Sequence, residues 1–217
     1  MSLTIQMPFK FKGGVGEPEL SQDSAQLTQE LHGRHYEDCL EGRVFSHTPT
    51  PLGLAIPIYT ATGLAGGMPI WNPSNSNVNV ELIRATIAYA SGTSAVFSAV
   101  LMHRNNLGVD IATGSEITAF AETVPFNGYL GQGRASRVKS SNAGTCTVSA
   151  GVAEEAIRTF FGTNVKAAAG TAGTQMCDHD FKGTVIVPPG TMVWIAGTLA
   201  SVALYSSTIV WKEIPIR

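Results

Sequence analysis

The chain has 217 residues and a formal net charge of -2, and 14% of its residues are Asp, Glu, Lys or Arg, against roughly 25% in an ordinary soluble domain. Lys and Arg form no cluster, which excludes a nucleic-acid groove and a surface for anionic lipid. Ser, Thr, Asn and Gly replace the missing charges, so the surface is either neutral and polar or extensively covered by other subunits. At this length the chain can bury about 70% of its unfolded surface. Cys39, Cys146 and Cys177 are therefore expected as free buried thiols rather than as a disulfide scaffold.

The first segment, MSLTIQMPFKFK, alternates: Leu3, Ile5, Met7, Phe9 and Phe11 share one side, and Thr4, Gln6, Pro8, Lys10 and Lys12 the other. This is a strand pattern, and Pro8 restricts it to an edge or added strand. The run GGVGEP then loosens it from the rest of the chain. Such a strand either opens the domain or pairs with a sheet edge, its own or a neighbour's. The start of the chain has no basic region followed by an apolar core and a cleavage site, so no secretory leader is expected. Ser21 can cap a short helix through Leu31, ended by Gly33. Seven of the sixteen acidic residues fall before position 50, so residues 1–50 read as an arm and linker and 51–217 as the folded body.

From Val44 to Val80 there is again no Asp, Glu, Lys or Arg, and Pro49, Pro51, Pro57, Pro69 and Pro73 exclude helix. Short strands fit Ile56–Tyr59 and Met68–Trp71, and Asn72–Asn77 forms a turn cluster. In NVNVELIRATIAYA the apolar parity changes, from Val78, Val80 and Leu82 to Ile83, Ala85, Ile87 and Tyr89, as a β-bulge requires. Ser91–Thr93 turns into Ala95–His103, expected as the hairpin partner. Further strands fit Thr145–Ala150, Phe181–Val187, Thr191–Ile195 and Ala203–Glu213, while Ala153–Phe161 fits a strand or a helical turn.

No residue from Thr184 to Trp211 is charged, and Met192–Trp211 is long enough to cross a membrane as a helix. Pro188–Pro189–Gly190, Gly197–Thr198 and Ser206–Ser207–Thr208 interrupt it, and its β-branched residues favour a sheet. Pro189 and Gly190 suit the centre of a type II turn. Strand, turn, strand, loop, strand is therefore the expected order. On the last strand Tyr205, Ile209 and Trp211 share one face and Val202, Leu204, Val210, Ile214 and Ile216 the other. Two apolar faces call for a covering loop or another subunit. Short strands with little helix make the chain an all-β antiparallel sandwich or barrel.

Catalytic signals are weak. His32, His35 and Cys39 have zinc-competent atoms, but no fourth ligand follows and a solvated linker is the simpler reading. Cys177–Asp178–His179–Asp180 reads as a loop entering the Phe181 strand. Gly131–Arg134 lacks the lysine and helix of a phosphate loop. The adjacent Glu154 and Glu155 diverge, and neither a GxSxG nor an HExxH motif occurs.

The segments IPIYTATG, PIWNPSNSNVNVELIRATIAYASGT and VPPGTMVWIAGTLASVALYSSTIVWKEIPI resemble jelly-roll structural proteins of tailed-bacteriophage virions, a group that includes head decoration or cement proteins. The likeness lies in texture and segment order: a proline-punctuated entry, an Asn-rich turn before a long strand, a PPG turn and a final W-K-E-I-P. It implies an antiparallel jelly-roll sandwich, a symmetric oligomer and no enzymatic role.

The expected function is then a capsid decoration or cement protein on the virion surface, assembled in the host cytoplasm. Its expected partners are copies of itself, as a trimer, and the major capsid protein. No cofactor, metal, nucleic acid or membrane is expected. The expected contact residues are Leu3, Ile5, Met7, Phe9 and Phe11 of the arm, with Tyr205 and Trp211 at core or interface positions. The alternative is a tail or fibre protein whose loops, such as Asn127–Arg134, hold a host receptor or glycan.

Overall fold

The computed structural model describes residues 10–11, 14–15, 34–50, 52–56, 68–92, 98–105, 107, 117–130, 133–141, 146–148, 155–160, 176–198 and 203–216. The chain divides into two compact units, Met1–Tyr36 and Glu37–Arg217. In the first, β1 (Lys10–Phe11) pairs antiparallel with β2 (Gly14–Val15). The expected arm residues Leu3, Ile5, Met7 and Phe9, and the expected helix Ser21–Leu31, lie outside the described residues.

After α1 (Tyr36–Leu40) come β3 (Val44–His47), β4 (Leu54–Ala55), β5 (Ile70–Asn72), β6 (Val78–Ser91), β7 (Ala99–Arg104), β8 (Ile117–Ala119) and β9 (Glu122–Thr123). They are followed by β10 (Phe126–Asn127), β11 (Lys139–Ser141), β12 (Thr147–Val148), β13 (Glu155–Phe160), β14 (Met176–Asp180), β15 (Ile186–Val187), β16 (Thr191–Gly197) and β17 (Leu204–Pro215). One sheet runs β10-β3-β17-β6-β14, with β15 also on β6 and β4 also on β17. The other runs β13-β7-β16-β5-β11-β9, and β12 pairs separately with β8. All described pairings are antiparallel, and the two sheets pack face to face as an all-β sandwich.

The core explains why this sequence folds so. Phe45, Val80, Leu82, Ile87, Tyr205, Ile209 and Trp211 from the first sheet meet Ile70, Leu101, Val193 and Ile195 from the second. Phe45 stacks on Trp211 at 6.1 Å between ring centroids, and Tyr89 meets Tyr205 edge-on at 6.3 Å, favourable geometries for aromatic pairs. A second cluster lies on the far side of the six-stranded sheet, where Trp71, Val100, Met102, Met192 and Trp194 are covered by Leu107, Ile117, Phe120 and Cys146. All seven residues of β16 are consequently buried.

That third layer relocates the two-faced strand expected from the sequence. On β17, Tyr205, Ser207, Ile209, Trp211 and Glu213 are buried while Leu204, Ser206, Thr208, Val210, Lys212 and Ile214 are half-exposed. β17 thus alternates, and β16 is the strand covered on both faces. Tyr205 and Trp211 are intersheet core residues, so neither side chain is available to another chain.

The parity change in β6 is a bulge. Against β17 the register steps from Val210 opposite Arg84 to Trp211 opposite Leu82, leaving Ile83 without a partner on that strand. On the other edge of β6 the neighbour changes there too, from β14 opposite Arg84–Ala88 to β15 opposite Val80–Glu81. An extra residue in a strand locally disrupts its ladder and bends it, and here β6 exchanges neighbours at that point. The Pro189–Gly190 turn also forms: Gly190 has φ +77°, as the second central residue of a type II turn requires. Its N–H donates to the Asn72 carbonyl at 2.7 Å.

Three expectations need correction. The Ala95–His103 strand is not the hairpin partner of β6. β7 crosses to the other sheet, because both edges of β6 are occupied by β17 and by β14 with β15. Cys177–Asp180 is not a loop but lies in β14, paired along β6. Its polar side chains mislead because Asp178 and Asp180 face outward, where Arg84 donates through Nε (2.6 Å) and Nη2 to the Asp178 carboxylate. The body starts before residue 51, since β3 pairs with β17 and Val44, Phe45 and His47 are buried. Of the two readings open for Ala153–Phe161, strand or helical turn, the strand holds for Glu155–Phe160, which is β13. Among the described residues no helix is long and apolar enough to cross a membrane.

His47 is the one described histidine in the core, and its Nε2 lies 3.2 Å from the Ser141 carbonyl on the opposite sheet. A carbonyl only accepts, so Nε2 carries the proton. Burial lowers the His47 pKa from its ordinary 6.5, opposed in part by that hydrogen bond. The unfolded chain therefore binds the proton more tightly. Stability is complete above about pH 6.5 and is lost as pH falls toward the lowered folded value. Denaturation midpoints at pH 7.5 and 5.5 should differ in the wild type. The difference should shrink in His47→Gln, whose amide donates to Ser141 without titrating, whereas an unchanged pH dependence would remove His47 as its source.

Candidate functional site

One corner of the sandwich gathers a group of polar side chains that are held in place. Two residues past the end of α1 lies Gly42, whose φ of +65° suits the turn that follows a helix C-terminus, and Gly42 N–H donates to the Cys39 carbonyl at 2.9 Å. Asp38 takes Arg43 at 2.9 Å and Lys212 of β17 at 2.9 Å, while Lys212 also reaches Glu81 of β6 at 3.5 Å. This network fastens α1 to the end of β17, and being partly buried it is screened less than a surface pair.

Beside it, β10 forms the edge of the seven-stranded sheet, with Phe126 opposite Ser46 and Asn127 opposite Phe45. Asn127 is the knot of the corner. Its Nδ2 donates to the Gly42 carbonyl at 2.9 Å and to the Arg134 carbonyl at 3.1 Å, and its Oδ1 accepts from Tyr129 N–H at 2.8 Å. The side chain packs so closely on Gly133 that a Cβ there would lie 2.1 Å from Asn127 Cγ. Glycine is therefore required at 133 on steric grounds.

Glu213, near the end of β17, is fully buried. Its Oε1 accepts from Ser136 Oγ at 2.7 Å, Arg137 N–H at 2.9 Å and Val138 N–H at 3.4 Å. Its Oε2 lies 3.9 Å from Arg134 Nη2. A carboxylate that collects backbone amides in this way holds a loop. The Ser136 hydroxyl contacts the Glu213 carboxylate and the Val138 carbonyl.

Beside the exposed charged side chains of Glu37, Glu41, Arg134 and Arg137, this corner carries exposed apolar ones. Val124 (81% exposed), Phe126 (65%) and Leu130 (82%) stand out, with Tyr129 beside them and Leu40 on α1. The sequence from Val124 to Gly133 contains no charge. Across the outer face of the same sheet, Phe126, Ser46, Val210 and Arg84 stand in register on four strands. The next row holds Thr48 and Thr208, bonded through their hydroxyls at 2.7 Å, and Thr86. On β14 the two rows end in Asp180, opposite Arg84, and Asp178, opposite Thr86, so their charges gather at that edge and the remainder is small, neutral or apolar, a surface that desolvates at little cost.

The site residues expected from the sequence are thus dispersed. Tyr205 and Trp211 are core; Phe11 lies in β1; the remaining arm residues are outside the described set. His35 precedes α1 and Cys39 lies within it, but among the described residues no group of three or more His, Cys, Asp or Glu is placed to hold a metal. In the sequence the loop Asn127–Arg134 stands out only as the part that a receptor-binding alternative would use, and the structure shows Asn127 bonded to Gly42, Tyr129 and Arg134. The neighbouring Val124–Phe126 escapes that reading, although Pro125 and Asn127–Gly128 in an uncharged run mark an edge segment. Comparison with protein-family models, with curated proteins and with solved structures finds no match.

Proposed function

We propose that this chain is a virion structural protein of the capsid decoration or cement type, without enzymatic activity. In this reading its sandwich binds copies of itself, as a trimer, and the major capsid protein, while the N-terminal arm reaches along the capsid surface. The observation that carries the reading is the uncharged, exposed apolar strip around Val124, Phe126 and Leu130. Exposed apolar patches of this kind mark contacts with other proteins.

The strand order supports it. Taking β3, β5, β6, β7, β13, β14, β16 and β17 in sequence, the first sheet reads first, eighth, third, sixth, and the second reads second, seventh, fourth, fifth. This order supports reading the sandwich as a double Greek-key jelly roll, an architecture shared by capsid proteins, lectins and cupins. Fold alone does not choose among them; the resemblance in the proline-rich entry, the PPG turn and the final W-K-E-I-P favours the capsid.

Deleting residues 1–16 is expected to abolish attachment to phage heads in a co-sedimentation assay while leaving the sandwich folded by circular dichroism. Undiminished attachment would exclude the arm. Native mass spectrometry should show a metal-free trimer. A second reading, a tail or fibre protein with a receptor-binding loop, draws on Tyr129, held at the surface by the Asn127 knot. Glycan-array binding that depends on Tyr129 would favour it, since a cement protein gives no signal there.

A further inference from the structure

Asn127–Gly128 is the sole Asn–Gly pair in the chain, and no Asp–Gly pair occurs. Asparagine before glycine is the sequence most prone to deamidation, because glycine has no Cβ to obstruct attack by its own backbone nitrogen on the preceding side chain. In that reaction the Gly128 nitrogen loses its proton and bonds to Asn127 Cγ. The side-chain nitrogen leaves as ammonia, and water opens the resulting succinimide at either carbonyl to give aspartate or isoaspartate. No oxidant, reductant or enzyme is consumed.

The fold opposes every part of this step. Gly128 N–H donates to the Val44 carbonyl at 2.8 Å, so the attacking nitrogen is engaged in the β10–β3 edge. The departing amide nitrogen donates to the Gly42 and Arg134 carbonyls, and the amide oxygen accepts from Tyr129. The side chain is further confined by Gly133 and by Gly42, where a Cβ would stand 3.5 Å from Asn127 Nδ2. Ring closure has to break these contacts together, so it requires local opening of the edge.

The product could not restore them. A carboxylate only accepts hydrogen bonds, and at position 127 it would face two carbonyl oxygens that now receive a donor. Isoaspartate would in addition lengthen the main chain within β10. We propose that Asn127–Gly128 is a latent deamidation site held closed by this corner, and that its conversion turns a transient opening of the edge into a permanent release of Tyr129 and Arg134. The inference does not depend on the function proposed above.

The test is to incubate the full chain at mildly alkaline pH, natively and in urea, and to follow the Asn127 peptide by mass spectrometry in ¹⁸O-water. Conversion should be rapid in urea and at least about tenfold slower in the native protein, as expected when reaction requires local opening. Equal rates would overturn the gating, and no conversion in urea would overturn the site itself. Hydrogen exchange on the aged wild type and on Asn127→Asp then examines the release. Faster exchange at Gly128 and Tyr129 with β16 unchanged is expected, and wild-type exchange at both amides would refute it.

Discussion

Trp211→Ala should be among the most destabilising single substitutions in this chain, costing about 4 kcal/mol, the usual range for emptying a fully buried tryptophan site. Trp211 is wholly inaccessible, stacks on Phe45 and sits beside the β6 bulge, opposite Leu82. The cavity would open between the two sheets, where neighbouring backbones are fixed by ladders and cannot collapse into it. Denaturant titration should show a reduced midpoint, and Tm should fall by about 10 °C for a protein of this size. Trp211→Phe separates packing from polarity. The indole Nε1 has no hydrogen-bond partner among the described residues, so phenylalanine removes a buried unsatisfied donor along with some volume. Its cost should be about 1–2 kcal/mol, and a loss as large as that of alanine would mean the indole N–H matters.

Glu213→Ala should cost about 2 kcal/mol, because it removes the acceptor of the part-buried Arg137 N–H and one partner each of Ser136 and Val138, which keep their bonds to one another. Glu213→Gln preserves one carbonyl acceptor in the same place and should cost nearer about 1 kcal/mol. Limited proteolysis supplies a local readout. In Glu213→Ala the segment Arg134–Val138 should become the first site of cleavage, with the β6–β17 pairing intact. Cleavage elsewhere, or an unchanged protein, would show that the carboxylate does not hold the loop.

These two residues differ in how far the sequence reveals them. Trp211 belongs to an alternating run, and alternation alone assigns it to one face of β17. Glu213 follows it at the same parity, yet a carboxylate beside Lys212 suggests a solvated residue. Its partners lie about 76 residues away on a loop without regular structure, and no local pattern links them. Similarly, the parity change at Leu82–Ile83 predicts the bulge, whereas the pairing expected for Ala95–His103 goes to the wrong sheet. A turn indicates that the chain reverses, not whether it returns beside the strand it left or crosses to the opposite layer.

The candidate site divides along the same line. Asn127–Gly128 and the uncharged run around it can be read directly, as can the charge depletion of the whole chain. The sequence by itself determined the long strands β6, β16 and β17, the bulge in β6 and the Pro189–Gly190 turn, because each depends on neighbours a few positions apart and on a period of two. Only the tertiary structure decided which strands share a sheet, that β16 rather than β17 is covered on both faces, and that Asn127, Gly42, Arg134 and Glu213 meet at one corner. Those outcomes depend on how the long connections place edges and layers, where burial of the Trp71 and Trp194 face and satisfaction of backbone donors outweigh local preference.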